Sequence, residues 1–128
     1  MRLLIDTHVF IWLNETPDRI PQQTIALLSN PDNELLLSLV SVWEMQIKIQ
    51  LGKLQLQNPL QDILRTQQSV NDLQILSIEL SHIWALEGLP NHHRDPFDRL
   101  LIALTIATQL SIVSADSKFD RYSIEQLW

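Results

Sequence analysis

Short apolar runs alternate with segments of helical periodicity along the whole chain, and this alternation restricts the possible folds most strongly. The apolar runs predict strands at residues 3–5, 35–38, 73–78 and 111–114, with a last edge strand at 124–127. Apolar side chains three and four positions apart predict helices at 7–13, 21–28, 41–51, 59–70, 79–86 and 96–109. Such alternation predicts an α/β fold of three layers (α/β/α) around a central, mainly parallel sheet.

Length and composition bound the class of protein. The 128 residues suit one domain, predicted to span 1–128, and a hydrophobic content of 45% can form a core. The absence of cysteine excludes disulfides, a thiolate metal site and a cysteine nucleophile. The first apolar run breaks at Asp6, too early for a signal peptide, and no run is long enough to span a membrane. We therefore expect a cytoplasmic protein without a membrane partner.

Charge argues mildly against a nucleic-acid partner, because the net charge is −6 and such proteins are normally basic. The distribution softens this objection. Four of the nine basic residues lie in the last 35 positions, namely Arg94, Arg99, Lys118 and Arg121. They stand among the acids Asp95, Asp98, Asp116 and Asp120. A mixed patch of this kind could hold phosphate and metal together, or it could be a solvated charged surface.

Acidic residues recur at one predicted edge of the sheet. Asp6 follows the first strand, Glu44 lies in the first turn of the helix after the second strand, and Asp116 follows the fourth strand. Right-handed crossovers align parallel strands, so the carboxyl ends of these strands share an edge, where ligands bind in open sheets. Asp98 begins the helix before the fourth strand, and its arrival at this edge depends on the connection through residues 87–95.

Carboxylates that converge in a cleft repel one another, and a divalent cation removes that repulsion. Oxygen ligands without cysteine favour Mg²⁺ or Mn²⁺ over zinc. Such an ion can orient a phosphate and activate a water, so phosphodiester hydrolysis is the predicted reaction, with Asp6, Glu44, Asp98 and Asp116 as metal ligands.

Each acid also has a structural interpretation. Ser41 to Glu44 matches the capping box of a helix start. Asp95 and Asp98 flank Pro96 as an N-cap and a first-turn acid do. Asp116 suits a short turn. Asp6, directly after a buried strand, has the weakest structural explanation.

Two further functions remain open. One is a magnesium-dependent phosphotransfer domain with a strand-end Asp as phosphoacceptor, although His8 stands where a dehalogenase-type phosphatase has a second Asp. The other is a non-catalytic binding module whose acids are helix caps.

Supporting residues are predicted around the acids. Thr7 and Ser114 could hydrogen-bond neighbouring carboxylates, or they could cap their local turns. Arg94, Arg99 and Lys118 are candidates for binding substrate phosphate. His93 could contact phosphate, with an exposed loop position as the alternative. The four tryptophans, Trp12, Trp43, Trp84 and Trp128, are expected mainly in the core.

Four segments together resemble the PIN-domain family, and specifically the VapC-like toxins of bacterial type II toxin–antitoxin systems. They are Leu4-Ile5-Asp6-Thr7-His8, Ser41-Val42-Trp43-Glu44, the segment from His93 to Ala103, and Ser114-Ala115-Asp116. The part from Asp95 to Ala103 is the most specific. The resemblance covers essentially the whole chain.

The resemblance implies a magnesium- or manganese-dependent ribonuclease with RNA as substrate. By the family pattern, Asp6, Glu44, Asp98 and Asp116 hold the metal, and Asp95 is an additional acid outside the metal ligands. The resemblance also implies a homodimer and a small antitoxin partner that lays a helix over the toxin and reaches into the acidic site.

Overall fold

A computed structural model of the chain describes residues 1–92 and 94–128. In this part of the chain five strands form one sheet: β1 (Arg2–Ile5), β2 (Glu34–Ser38), β3 (Gln74–Leu76), β4 (Ser111–Val113) and β5 (Glu125–Leu127). Every pair of neighbouring strands is parallel, so the predicted parallel sheet is confirmed. The third strand is shorter than predicted because only three residues pair with β2 at the edge of the sheet.

Six α-helices connect these strands within the described residues. They are α1 (Thr7–Glu15), α2 (Gln22–Ser29), α3 (Leu39–Gln50), α4 (Leu60–Val70), α5 (Leu80–Trp84) and α6 (Pro96–Thr108). The helix predicted at 79–86 is split, because α5 ends at Trp84 and a 3-10 helix, Ala85–Gly88, continues from it. A membrane-spanning helix is not found among the described residues, where no helix combines the necessary length and apolarity.

The order of strands in the sheet is β3-β2-β1-β4-β5. From β1 the chain builds one side of the sheet through β2 and β3, and then crosses to the other side of β1 to add β4 and β5. The two directions diverge between β1 and β4. In open parallel sheets a crevice forms at this switch point, outside the carboxyl ends of the strands. The residues that follow Ile5 and Val113, which are partners in the register, therefore stand at the crevice.

The core lies on both faces of the sheet because side chains alternate along each strand. Leu3 and Ile5 pack in one cluster, which also contains residues of α1, α2, α3 and α4. Leu4, between them, packs in the other cluster, with α6 and Phe119. The three-layer α/β/α arrangement predicted from the sequence is thus confirmed, and each strand is anchored from both sides.

Helix α3 begins at Leu39, two residues earlier than predicted. Its N-cap is Ser38, the last residue of β2, whose hydroxyl accepts a hydrogen bond from the Val40 amide at 3.0 Å. The predicted capping box at Ser41 is therefore wrong, and Ser41 lies buried within the helix. Glu44 consequently lies in the second turn of α3 and not in the first.

Candidate active site

An acidic cleft of about 210 Å³ lies at the carboxyl edge of the sheet. The described residues that line it are Asp6, Thr7, His8, Ile11, Glu44, Lys48, Asp95, Asp98 and Asp116. All four predicted metal ligands therefore reach one cleft, although the first and the last are more than a hundred positions apart in sequence. Asp98 arrives there because α6 returns along the sheet to enter β4, which places its N-terminus at the carboxyl edge.

Asp6 is the most firmly held of the acids, with 3% of its surface exposed. Its Oδ1 accepts a hydrogen bond from the Thr7 amide at 2.8 Å, and its Oδ2 accepts one from the Ser114 hydroxyl at 2.7 Å. The Ser114 hydroxyl in turn accepts a hydrogen bond from the Asp116 amide at 3.0 Å. The contact predicted for Ser114 is confirmed, and it joins the ends of β1 and β4 across the switch point.

Thr7 hydrogen-bonds the Asp6 carboxylate as predicted, but the donor is its backbone amide and not its hydroxyl. The Thr7 hydroxyl donates to the hydroxyl of Ser41 on α3 at 2.8 Å, and both residues are buried. This bond ties the start of α1 to the helix that carries Glu44. It therefore fixes two of the acidic residues relative to each other.

Glu44 is nearly buried and forms an ion pair that the sequence analysis did not predict. Lys48, one turn later on α3, donates from Nζ to Glu44 Oε2 at 2.6 Å. The hydrogen bond to Glu44 raises the pKa of Lys48 above its ordinary value, against the opposing effect of burial. The sequence signal for this pair was the spacing of four residues on one helix, which brings an acid and a base together.

Asp98 has a raised pKa because it is half-buried and close to the other acids of the cleft. Burial, the largest cause, and the negative charges of Asp95, Asp6, Glu44 and Asp116 together raise its pKa from 3.8 to about 7. At neutral pH without a cation, this carboxyl therefore holds a proton for part of the time. A cation in the cleft would lower the pKa of Asp98 again, because positive charge favours the ionised carboxylate.

Asp95 and Asp116 act as helix caps and also line the cleft. Asp95 Oδ1 accepts from the Phe97 and Asp98 amides at 2.8 and 3.2 Å, at the start of α6. Asp116 Oδ1 accepts from the Lys118 amide at 2.9 Å, at the start of the 3-10 helix Ser117–Arg121. Both structural interpretations are thus confirmed, and they do not exclude a role for either acid in the cleft.

His8 is a second basic residue of the cleft that the sequence analysis did not assign to the site. Its Nδ1 lies 3.1 Å from Asp6 Oδ2, and its Nε2 accepts from the Ala115 amide at 3.3 Å. Burial lowers the pKa of His8, but the bond to Asp6 and the charges of Asp6, Asp116 and Asp98 outweigh it, so the net shift is upward. His8 thus adds a further contact between β1 and the loop after β4.

The predicted phosphate-binding residues do not line the cleft. Arg94 and Lys118 are exposed, and Arg99 Nη1 donates to the Pro90 carbonyl at 3.1 Å. Their substrate-binding role stays a prediction. His93 lies outside the described residues.

The whole chain matches a known family. The model of the PIN domain matches residues 3–125. The chain belongs to the PIN-domain family. No curated protein sequence matches it.

Solved structures share the fold of this PIN domain. VapBC2 from Rickettsia felis, bound to a DNA fragment from its promoter, is 18% identical with a TM-score of 0.73, and the match covers 99% of this chain and 98% of that one. DNA-bound VapBC from Salmonella typhimurium is 14% identical with a TM-score of 0.69, covering 99% and 97%. VapBC-5 from Mycobacterium tuberculosis, a member of the VapBC family of toxin–antitoxin systems, is 21% identical with a TM-score of 0.59, covering 98% and 97%.

The chemistry of the cleft fits a divalent metal ion. Its five carboxyl groups offer hard oxygen ligands, and the pKa of Asp98 is raised by burial first and by the neighbouring negative charges second. Across residues 1–92 and 94–128, no three acids or histidines yet stand in a ligand arrangement. Binding would therefore draw the side chains inward, which the mutual repulsion of the carboxylates opposes until the cation arrives.

A larger cavity, about 510 Å³, lies near the opposite edge of the sheet. It is lined by the turn before β2 and by the segment that enters β3, including Asn33, Glu34 and Asp72. Ligand sites in open parallel sheets form at the carboxyl edge and not at the amino edge. Size alone therefore does not make this cavity the functional site.

Proposed function

We propose that this protein is a metal-dependent endoribonuclease and the toxin of a VapC-like toxin–antitoxin pair. The observation that carries the proposal is the convergence of Asp6, Glu44, Asp98 and Asp116 on one cleft at the switch point of the sheet. The reaction is hydrolysis of an RNA phosphodiester, leaving a 5′-phosphate and a 3′-hydroxyl.

The residues of the cleft have distinct parts in this proposal. Asp6, Asp98, Asp116 and Glu44 would hold Mg²⁺ or Mn²⁺. When bound, the ion supplies positive charge to the phosphate and lowers the pKa of a water molecule. Ser114 keeps the Asp6 carboxylate in one orientation through its hydroxyl, which limits the reorganisation needed before reaction. The half-buried Asp98 would release its proton to solvent on binding the ion and so act as a carboxylate ligand.

An RNA cleavage assay tests the proposal. We expect purified protein to cut at least one of transfer, ribosomal or messenger RNA with Mg²⁺ or Mn²⁺, and excess chelator to stop the reaction. End analysis should find 5′-phosphate and 3′-hydroxyl termini. The Asp6→Asn variant, purified in the same way, controls for contaminating ribonuclease. Equal cleavage by this variant would remove the assignment.

The two alternative functions give different results. A phosphotransfer domain incubated with a small phosphodonor forms an acyl phosphate on Asp, which a nuclease does not. A non-catalytic binding module shows no change in melting temperature on titration with Mg²⁺ or Mn²⁺.

We further propose a homodimer. Apolar side chains are exposed on α3 and α5, which both pack on α6, and Trp43 and Trp84 are 54% and 65% exposed. The prediction that these two tryptophans lie in the core is wrong, whereas Trp12 and Trp128 pack against it. Exposed apolar groups of this extent are typical of association surfaces.

Light scattering should give a mass twice the 14.9 kDa of one chain. The Trp84→Lys variant should shift toward the monomer, because a charge replaces an apolar contact. Val70→Lys, at the exposed C-terminal end of α4, is the matched control and should leave the mass unchanged. A monomeric wild type at high concentration would overturn the dimer.

The proposed antitoxin is a small protein that binds over the cleft. Support comes from the solved structures of the same fold, which are named as VapBC complexes. Co-expression with the product of a short neighbouring reading frame should give a stable complex that no longer cleaves RNA.

A further inference from the structure

Lys48 is a basic residue of the cleft to which the proposed function assigns no part. Its Nζ stands 2.6 Å from Glu44 Oε2. The side chain of Lys48 is 43% exposed, whereas that of Glu44 is 9% exposed. The ammonium group therefore lies where the solvent-accessible mouth of the cleft meets its buried wall.

The charges around the cleft make this position significant. Five carboxylates line it, and among the described lining residues Lys48 is the one cation that stays charged across the neutral range. An RNA phosphate approaching this wall meets negative charge almost everywhere else. A bound metal offsets part of that charge, and a fixed ammonium offsets more without occupying a metal position.

Lys48 also has unused hydrogen-bonding capacity. An ammonium group has three N–H donors. In the part of the chain that the structure describes, Glu44 is the partner recorded for this group. Lys48 can thus keep its bond to Glu44 and still donate to a second acceptor that enters from solvent.

We infer that Lys48 is a substrate-binding residue, whose Nζ donates to a non-bridging oxygen of an RNA phosphodiester at the mouth of the cleft while it remains paired with Glu44. This inference rests on the proposed ribonuclease function. It assigns the phosphate contact to α3, in place of the exposed Arg94 and Lys118.

The test compares Lys48→Gln, Lys48→Arg and Lys53→Gln with the wild type. Lys53 is exposed just beyond α3 and does not line the cleft, so its substitution makes the same charge change elsewhere. We expect Lys48→Gln to raise KM about 10-fold, because a charge-assisted hydrogen bond is lost. The dependence of log KM on log salt concentration should flatten by about 0.7, the value for one lost phosphate contact on a single strand.

Lys48→Arg should have a KM and a salt dependence close to those of the wild type, because arginine keeps the positive charge and the N–H donors. Lys53→Gln should change neither. Mn²⁺ titration of the metal-free protein provides a readout that is independent of activity. Lys48→Gln should bind Mn²⁺ at least as tightly as the wild type, because a positive charge that repels the ion is removed from the cleft.

Weaker Mn²⁺ binding by Lys48→Gln, with unchanged salt dependence, would show that Lys48 only positions Glu44 and would overturn the inference. Equal salt dependence in Lys48→Gln and Lys53→Gln would overturn it too. If the wild type itself cleaves no RNA with any metal, the ribonuclease proposal fails and this inference fails with it. Wild-type cleavage combined with an unaffected Lys48→Gln variant rejects the phosphate contact alone.

Discussion

Asp98→Asn is expected to lower metal-dependent RNA cleavage by on the order of 10³-fold, since stabilising charge in the transition state is lost with one metal ligand. Asn has nearly the shape of Asp, so the first turn of α6 and its cap on Asp95 should persist. The measurement is kcat/KM on a defined RNA oligonucleotide at saturating Mg²⁺. A circular dichroism spectrum should match that of the wild type.

Asp32→Asn is the matched control for this experiment. Asp32 is exposed in the turn before β2, near the other edge of the sheet, and its substitution makes the same change in net charge. It should leave kcat/KM within a factor of about two, as expected for a surface substitution remote from the site. If Asp98→Asn and Asp32→Asn cleave equally well, Asp98 is not a metal ligand.

Asp98→Asn should also stabilise the metal-free protein at pH 8. The pKa of Asp98 is about 7 in the folded state against 3.8 ordinarily, so its charged form is disfavoured by folding. Asn carries no charge and removes that penalty. Allowing for solvent screening at this half-buried position, we expect a gain of about 1 to 2 kcal/mol. Thermal unfolding should then shift upward by about 3 to 8 °C.

The direction of the pH dependence is fixed by the raised pKa. Between pH 4 and pH 7 the Asp98 carboxyl is protonated in the folded state and ionised in the unfolded state. The contribution of Asp98 to the free energy of unfolding of the wild type therefore falls as pH rises. The advantage of Asp98→Asn should therefore be small at pH 5 and largest at pH 8. At pH 8, Mg²⁺ should raise the melting temperature of the wild type more than that of the variant. A variant that is less stable than the wild type at pH 8 would contradict the repulsion argument.

The placement of the acids at one edge could be predicted from sequence because it follows from chain direction. Once strands and helices alternate, parallel pairing puts every strand end at the same edge, and Asp6 and Asp116 follow strand ends. Asp98 obeys the complementary rule, since a helix that leads into a parallel strand begins at the carboxyl edge. Neither argument needs any knowledge of side-chain contacts.

The start of α3 could not be predicted, because two serines three residues apart both suit a helix start. Ser38 takes the cap, and Ser41 instead bonds to Thr7, a residue 34 positions away. Local sequence preferences do not contain that tertiary contact. The mistake placed Glu44 in the first turn of the helix, whereas it lies in the second turn of α3.

The exposed tryptophans illustrate a second limit. Trp43 and Trp84 lie on α3 and α5, which carry more apolar side chains than the core can bury. Part of their apolar surface is therefore exposed to solvent. Hydrophobic periodicity shows that a helix has an apolar face. It does not show whether that face meets the protein's own core or a separate surface.

The bond between Ser114 and Asp6 spans 108 positions of the chain. Asp6 is therefore made well before the hydroxyl that orients it and before Asp116, whose amide donates to that hydroxyl. A nascent chain without β4 therefore lacks an assembled cleft. A nuclease built in this way would be inert toward its own messenger until β4 has been made and has paired with β1.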